Sequence, residues 1–482
     1  MNNKSEISSS DIEQHWIKTE FAGIEFGDRR LNMRFQKTAE ILSEQPLSSI
    51  NQACHNWAET KGAYRLFGND KVEPKEILLP HQLKTKLRIQ EQSRILVIQD
   101  TSFINYTTHP SVSGLGSIGN VNKKKETKLD TLGLVMHTAL AVSTEGLSLG
   151  ILDQEIWARD EKKASRKQKV SRQRVPVEEK ESYKWLRALM RTVDLLPAEV
   201  QAVTVCDRES DMYEFIGKAE ALKTQYLIRS SWNRSIQVEH EDYYLWDYVS
   251  DLPCMGTVEI EVEPKRVRKQ KLEQNRIAKL EVRFARVELR RNEKKKVNRK
   301  ECPRSLSSYV VWVKEIKPPK GIEALEWMLL TNVPVKTFKD AKERIDWYKL
   351  RWHIESFHKV LKSGCHIEQC RLGTGERLER YITLFSIIAW RLYWMTHISR
   401  ISPDEPCNAI LADHEWKSLY CKIKKTKLIP KEIPSTRDAI RWIAQLGGFL
   451  GRKGDGEPGI TTIWRGWQRL IDISEAWLTF NE

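Results

Sequence analysis

Four residues, Tyr348, Arg351, Glu355 and Lys362, follow one another in the pattern Y-x2-R-x3-E-x6-K. At about 100° per residue in an α-helix they fall within an arc of roughly 60°. His358 and Lys359 widen that arc to about 100°. Trp347, Leu350, Ile354, Phe357, Val360 and Leu361 take the opposite side. The spacing predicts one helix over about 339–363 that buries one face and presents one carboxylate among an aromatic hydroxyl and several cations. A carboxylate in that company can hold a divalent metal while its neighbours hold phosphates. That is the equipment of phosphoryl transfer on nucleic acid.

Such a helix needs partners. The apolar run 94–99 ends in Asp100, and the run 202–206 ends in Asp207. Further strands are expected at 131–143, 147–157 and 226–229, with helices at about 177–193 and 211–222. The order is three strands, helix, strand, helix, strand, then the late helix with Glu355. In open α/β sheets chemistry gathers at the carboxyl ends of strands. Asp100, Asp207 and Glu355 can therefore converge, and three carboxylates suit two Mg²⁺ ions, which take hard oxygen ligands. Each acid taken singly has a plainer reading. A strand-end Asp is also a turn former or helix N-cap, and Glu355 alone fits an exposed ion pair.

The flanks differ in character. Residues 11–70 read as helical, with Asp28 capping a segment that puts Arg30, Arg34 and Lys37 on one side and Leu31, Phe35 and Leu42 on the other. A second helix over 51–67 has Trp57, Tyr64 and Phe67 as apolar anchors. Residues 232–335 alternate like an inserted antiparallel region between basic loops. Residues 378–398 read as a core helix. Pro403 and Pro406 suggest a hinge, Ser435 and Asp438 a capping box, and Trp464, Trp467, Leu470, Ile471 and Trp477 an apolar stripe. The predicted divisions are 1–73, helical; 74–400, the α/β core with its β insertion; and 401–482, helical.

Across 482 residues, Lys+Arg 80 against Asp+Glu 65 gives a net charge of +15. That balance favours a polyanionic partner, or equally a set of solvated basic loops. The stretches 162–174 and 265–271 carry both readings. The 8 cysteines show no CxxC spacing, which argues against a disulfide scaffold or zinc ribbon. The N-terminus lacks an apolar signal core and no apolar run reaches membrane-spanning length. The expectation is a cytoplasmic protein with no membrane partner and access to the chromosome in a bacterial cell.

The chain resembles the DDE transposases of bacterial cut-and-paste insertion sequences with the YREK signature. The resemblance runs through FGDRRL at 26–31, GAYR at 62–65, IQDTS at 98–102, KESYKW at 180–185, CDRE at 206–209, WMLLT at 327–331, the YREK positions and LGGF at 446–449. It implies a ribonuclease-H-like mixed-sheet catalytic core with an inserted antiparallel β region, flanked by helical domains. It also implies that Asp100, Asp207 and Glu355 ligate two Mg²⁺ ions, with Mn²⁺ as substitute. Tyr348, Arg351 and Lys362 would contact phosphates, with His358 and Lys359 close by. Trp327, which by pattern alone is strand core, would stack an extruded base. Arg29, Arg30, Arg34, Lys61 and Arg65 would lie in an end-recognition domain. The partners implied are double-stranded DNA, as element ends and target, and a second copy in an end-paired homodimer. Implied chemistry is nicking, hairpin formation, hairpin opening and joining of 3′ ends. A ribonuclease-H-fold nuclease without strand transfer and a non-catalytic DNA-binding inhibitor are the competing readings.

Overall fold

The computed structural model describes residues 16–120, 130–160, 175–262, 276–293, 297–298, 300–452 and 454–481. The basic stretches at 162–174 and 265–271 lie outside the described residues. The chain forms two units, each assembled from separated segments. One comprises Met1–Gln92, Thr101–Glu161 and His353–Glu482, and the other Ser93–Asp100 and Lys162–Trp352. Strand β1 (Arg94–Asn105) passes from the second unit into the first immediately after Asp100.

In the first unit, β2 (Gly116–Asn120), β3 (Asp130–Ser143) and β4 (Ser148–Trp157) form an antiparallel ladder. The helices Pro74–Gln90 and Gly375–Ile401 pack on β4. The first of these was not foreseen, because its apolar residues are spread around the axis and leave no periodic stripe. Its polar side chains explain its place. Gln82 and Arg88 each donate to a β4 carbonyl at 2.6 Å, of Leu152 and Leu149, and His81 accepts from the Ile151 N–H at 2.8 Å. A side chain at Gly150 would meet Thr85 Oγ1 at 1.9 Å, so only glycine allows this approach. The Gly375–Ile401 helix is buried on nearly every side, as the core reading expects.

The N-terminal segment starts as expected, with the Asp28 carboxylate accepting from Arg30 N–H at 2.8 Å to cap the helix Arg29–Glu44. The predicted helix over 51–67 is in fact two pieces, Ile50–Ala53 and Trp57–Phe67, because the backbone turns extended at Cys54 and Asn56 then caps the second piece through Glu59 N–H. Trp57 is not an anchor: it stands at the first turn, 75 % exposed. In the C-terminal segment the helices Thr436–Leu446 and Ile460–Asn481 pack together, and Trp464, Trp467, Leu470 and Ile471 are buried within the chain.

The second unit is a mixed sheet. β5 (Gln201–Cys206) runs parallel to both β1 and β6 (Gln225–Arg229). The remaining strands, β7 (Ser235–Val238), β8 (Glu241–Tyr244), β9 (Gly256–Val262), β10 (Arg276–Arg290), β11 (Ser305–Glu315) and β12 (Glu326–Thr331), pair antiparallel. β12 returns to pair with β6. The alternating apolar residues of 232–335 thus do build an antiparallel region. Helices Tyr183–Leu195 and Tyr213–Ala221 cover it through Trp185, Leu189, Phe215 and Ile216, all fully buried. The molecule is a mixed α/β protein with helical N- and C-terminal regions, as the sequence predicts.

Candidate active site

The parallel strands of the second unit set the two aspartates side by side. Ile98 on β1 pairs with Val205 on β5, and two residues further along each chain stand Asp100 and Asp207. On the far side of β5, Cys206 pairs with Ile228 on β6, so the next residue after each is Asp207 and Arg229. Arg229 in turn pairs with Leu329 on β12, two residues from Trp327. One sheet edge therefore carries, in order, Asp100, Asp207, Arg229 and Trp327. Ile95–Gln99 and Val203–Cys206 are buried, and Asp100 and Asp207 are the first residues after them to be partly exposed; β5 ends there, whereas β1, expected to end at Asp100, runs on to Asn105 because its second half pairs within the other unit's strands.

Burial raises the Asp207 carboxyl above its ordinary value, against the Glu209 N–H, which donates to it at 2.9 Å, and the positive charge of Arg351. The neighbouring Cys206 thiol is pushed up by burial and then by the charges of Asp207 and Asp100. A desolvated carboxylate beside a second one on the neighbouring strand is a donor set that gains from a hard cation. Among the described residues no group of three or more His, Cys, Asp and Glu side chains forms a ready metal cluster. The two aspartates fit a divalent ion by the chemistry of their donors.

Around them lie groups suited to phosphate. Tyr348 is buried, with its ring 5.1 Å from that of Trp327 in an edge-on arrangement. Burial raises its hydroxyl pKa, against the charges of Arg351 and Arg229. Arg351 lies over the Tyr348 ring at 5.9 Å. Arg229 is half-buried, donates to the Glu326 carbonyl at 2.7 Å, and is lowered by burial despite the Tyr348 hydroxyl beside it. Trp327 is only partly buried, unlike Met328 and Leu329 that follow it.

The single helix expected over 339–363 is broken. The helix Phe338–Lys349 ends, Leu350 and Arg351 form a turn, and a helix Trp352–Lys359 follows. A wider turn over Val360–Gly364 then closes with Cys365 N–H donating to Val360 O at 2.9 Å, five residues back. Gly364 lies against the C-terminal helix, and a side chain there would meet the Trp464 ring at 2.6 Å. Tyr348 and Arg351 belong to the second unit, and Glu355, His358, Lys359 and Lys362 to the first. Glu355 is half-buried on the first turn of its helix.

His358 departs from the expected phosphate-facing position. It is 5 % exposed, packs its ring 5.6 Å from Phe357, and burial lowers its pKa to about 3. Lys359 is exposed, as expected. Lys362 donates to the Phe103 carbonyl at 2.7 Å and lies 3.5 Å from Glu368. On the N-terminal helices Arg29, Arg30, Arg34, Lys61 and Arg65 are all exposed.

Three polar residues escaped the sequence reading. Arg229 is found only through the β6–β12 pairing. Lys184, 2 % exposed, lies 3.0 Å from Glu209, the residue whose N–H holds Asp207. Trp352 stands 55 % exposed beside Arg351, because the turn there points it outward. The motif KESYKW contained Lys184, but nothing in that spacing signals its burial.

Three family models match the chain. Transposase DNA-binding matches residues 13–72, the Transposase DDE domain residues 183–391, and the Transposase Tn5 dimerisation domain residues 387–477. The DDE match includes Asp207 and Glu355, and Asp100 precedes it.

Proposed function

We propose that this chain, a DDE transposase resembling that of Tn5, cuts both strands at the ends of its element through a hairpin intermediate and joins the freed 3′ ends to target DNA. The observation that carries this reading is the pairing of β1 with β5, which puts Asp100 and Asp207 side by side near Arg229 and Tyr348. Asp100, Asp207 and Glu355 would hold divalent cations. Two Mg²⁺ ions, or Mn²⁺ in their place, would supply the charge that activates an attacking oxygen and stabilises a leaving one at phosphorus.

The chain's own groups do the rest. Arg351, Tyr348 and Lys362 bind the phosphates at the scissile end, where an arginine fork neutralises charge and fixes orientation. Lys362 exchanges its contacts with Phe103 and Glu368 for a phosphate. Lys359 adds charge from an exposed position. Trp327 receives a base that leaves the stack when the end bends sharply enough to close a hairpin. His358 supports the helix from its buried side. Arg29, Arg30, Arg34, Lys61 and Arg65 read and grip the terminal repeat, with phosphate contacts setting register and base contacts specificity. Residues 1–73 serve as the end-binding domain, 74–400 as the catalytic domain and 401–482 as the homodimer contact that pairs two ends.

A radiolabelled duplex carrying the terminal inverted repeat from the DNA flanking the gene tests the reading. With Mg²⁺ the protein should give a nick, then a hairpin on a denaturing gel, then joined product. Asp100→Ala, Asp207→Ala and Glu355→Ala should each abolish all three. Cleavage by Asp207→Ala at the native rate sinks the metal site. Blunt ends without hairpin or joining would make the protein a nuclease of the same fold.

A further inference from the structure

Trp232 is 65 % exposed, yet the loop that carries it is held firmly. The Asp211 side chain is fully buried beneath this loop and pairs with Arg234. It accepts from the Ser230 hydroxyl at 3.0 Å, the Ser231 N–H at 2.7 Å and the Trp232 N–H at 3.2 Å. Asn233 accepts from Trp246 N–H at 2.9 Å, and Leu245 N–H donates to Arg234 O at 2.9 Å. A lone exposed apolar side chain is ordinary on a protein surface. An indole kept in water by a buried carboxylate that fixes the backbone beneath it is a different case, because the fold spends rigid structure on displaying it.

The place of display is also particular. Ser230 N–H donates to Met328 O at 2.6 Å, which continues the β6–β12 ladder past Arg229. Two steps beyond the Leu329–Arg229 pair, that register puts Ser231 opposite Trp327. Ser231 Oγ donates at 3.3 Å to the carbonyl of Arg208, the residue after Asp207. Trp232 therefore adjoins both the strand of Trp327 and the turn of Asp207. Arg208 and Arg229 lie on the same segments and add positive charge that suits a nucleic-acid backbone, while Arg234 is taken up by Asp211.

Resting on the reading of this edge as the seat of the DNA end, we infer that Trp232 is a second base-contacting aromatic beside Trp327. Its ring stacks on a nucleobase exposed when the duplex end is distorted. Two aromatic faces on one sheet edge hold the displaced base and its neighbour apart, so the distorted end persists long enough for the opposite strand to be attacked. Trp232 acts on the lifetime of the distorted substrate and takes no part in binding the undistorted repeat.

The test uses the full-length protein and the same inverted-repeat duplex, with 5-iododeoxyuridine placed singly at each of the nucleotides nearest the cleaved end. Long-wavelength irradiation, digestion and mass spectrometry map the cross-linked peptides. One position should cross-link to the peptide containing Trp232. Trp232→Ala should lose that cross-link and form hairpin roughly 5- to 100-fold more slowly, the range expected for one base–aromatic stack. It should nick and bind the intact duplex as the native protein does, with unchanged thermal unfolding, and Trp232→Phe should recover much of the hairpin rate. Hairpin formation by Trp232→Ala at the native rate overturns the assignment, as does cross-linking confined to other peptides. Asp207→Ala and Trp327→Ala in the same assay keep the two readings apart. An inert Asp207→Ala and a slow Trp327→Ala beside a native Trp232→Ala would overturn the Trp232 assignment alone, whereas an active Asp207→Ala would overturn the site on which it rests.

Discussion

Arg351 shows how a residue's task follows from its neighbours. Its charge opposes the rise that burial imposes on the Asp207 carboxyl, and its guanidinium lies over Tyr348. A phosphate held there sits between a cation and the aspartate edge. Arg351→Ala should slow end cleavage at least about tenfold and reduce the slope of log binding constant against log salt by about 1. Arg351→Lys should restore the salt slope and little of the rate, since a lysine lacks the fork. A salt titration with a cleavage time course reads both. At this scale the two aspartates were legible, because each closes a buried, mostly apolar run. Arg229 and Trp232 were not, because a side chain's neighbours across a sheet depend on register that local spacing does not encode, and Lys184 was not, because the burial of a helical lysine depends on what packs against it. His358 was misread for a related reason: the helical wheel that made it polar-facing assumes one unbroken helix.

At the scale of elements, the break at Leu350–Arg351 and the wide turn at Val360–Gly364 decide where the YREK side chains go. The break has no proline or glycine to announce it in the sequence, and Gly364 marks only the end of the wide turn. The wide turn ends where glycine meets the Trp464 ring. Gly364→Ala should cost about 1–3 kcal/mol by overpacking, seen as a lower urea midpoint, and Trp464→Leu in the same chain should return part of it. The N-terminal helices were better legible, since Asp28 and the apolar stripe of Arg29–Glu44 are local signals. Their exposed cations carry a separate prediction. Joint replacement of Arg30, Lys61 and Arg65 by alanine should weaken binding to the terminal repeat by tenfold or more in a gel-shift assay, while Asp207→Ala leaves that binding intact.

At the scale of the whole molecule, buried ionisable groups set opposing pH dependences. Burial lowers His353 to about 4 and His358 and His397 to about 3. Their contribution to stability is complete above the unfolded value of 6.5 and is lost as pH falls. Burial raises Glu44, Glu379 and Glu415 to about 7. Their contribution is complete below the unfolded 4.5 and is lost as pH rises through 7. Glu415→Gln keeps the hydrogen bond from Ala412 N–H, 2.7 Å in the native chain, and removes the titration. It should raise the unfolding temperature by several degrees at pH 8 and leave it nearly unchanged at pH 4.5, as scanning calorimetry would show. By itself the sequence determined most of the core strands, the aspartates that close their buried runs, the antiparallel character of 232–335 and the basic balance, because apolar periodicity and charge are local or additive properties. Only the tertiary structure decided which strand lies beside which, where the late helix breaks, and which polar residues stand at the aspartate edge. Those outcomes rest on packing between separate segments of the chain, from 22 residues apart for β5 and β6 to 107 for β1 and β5, and no local pattern contains the register that joins them.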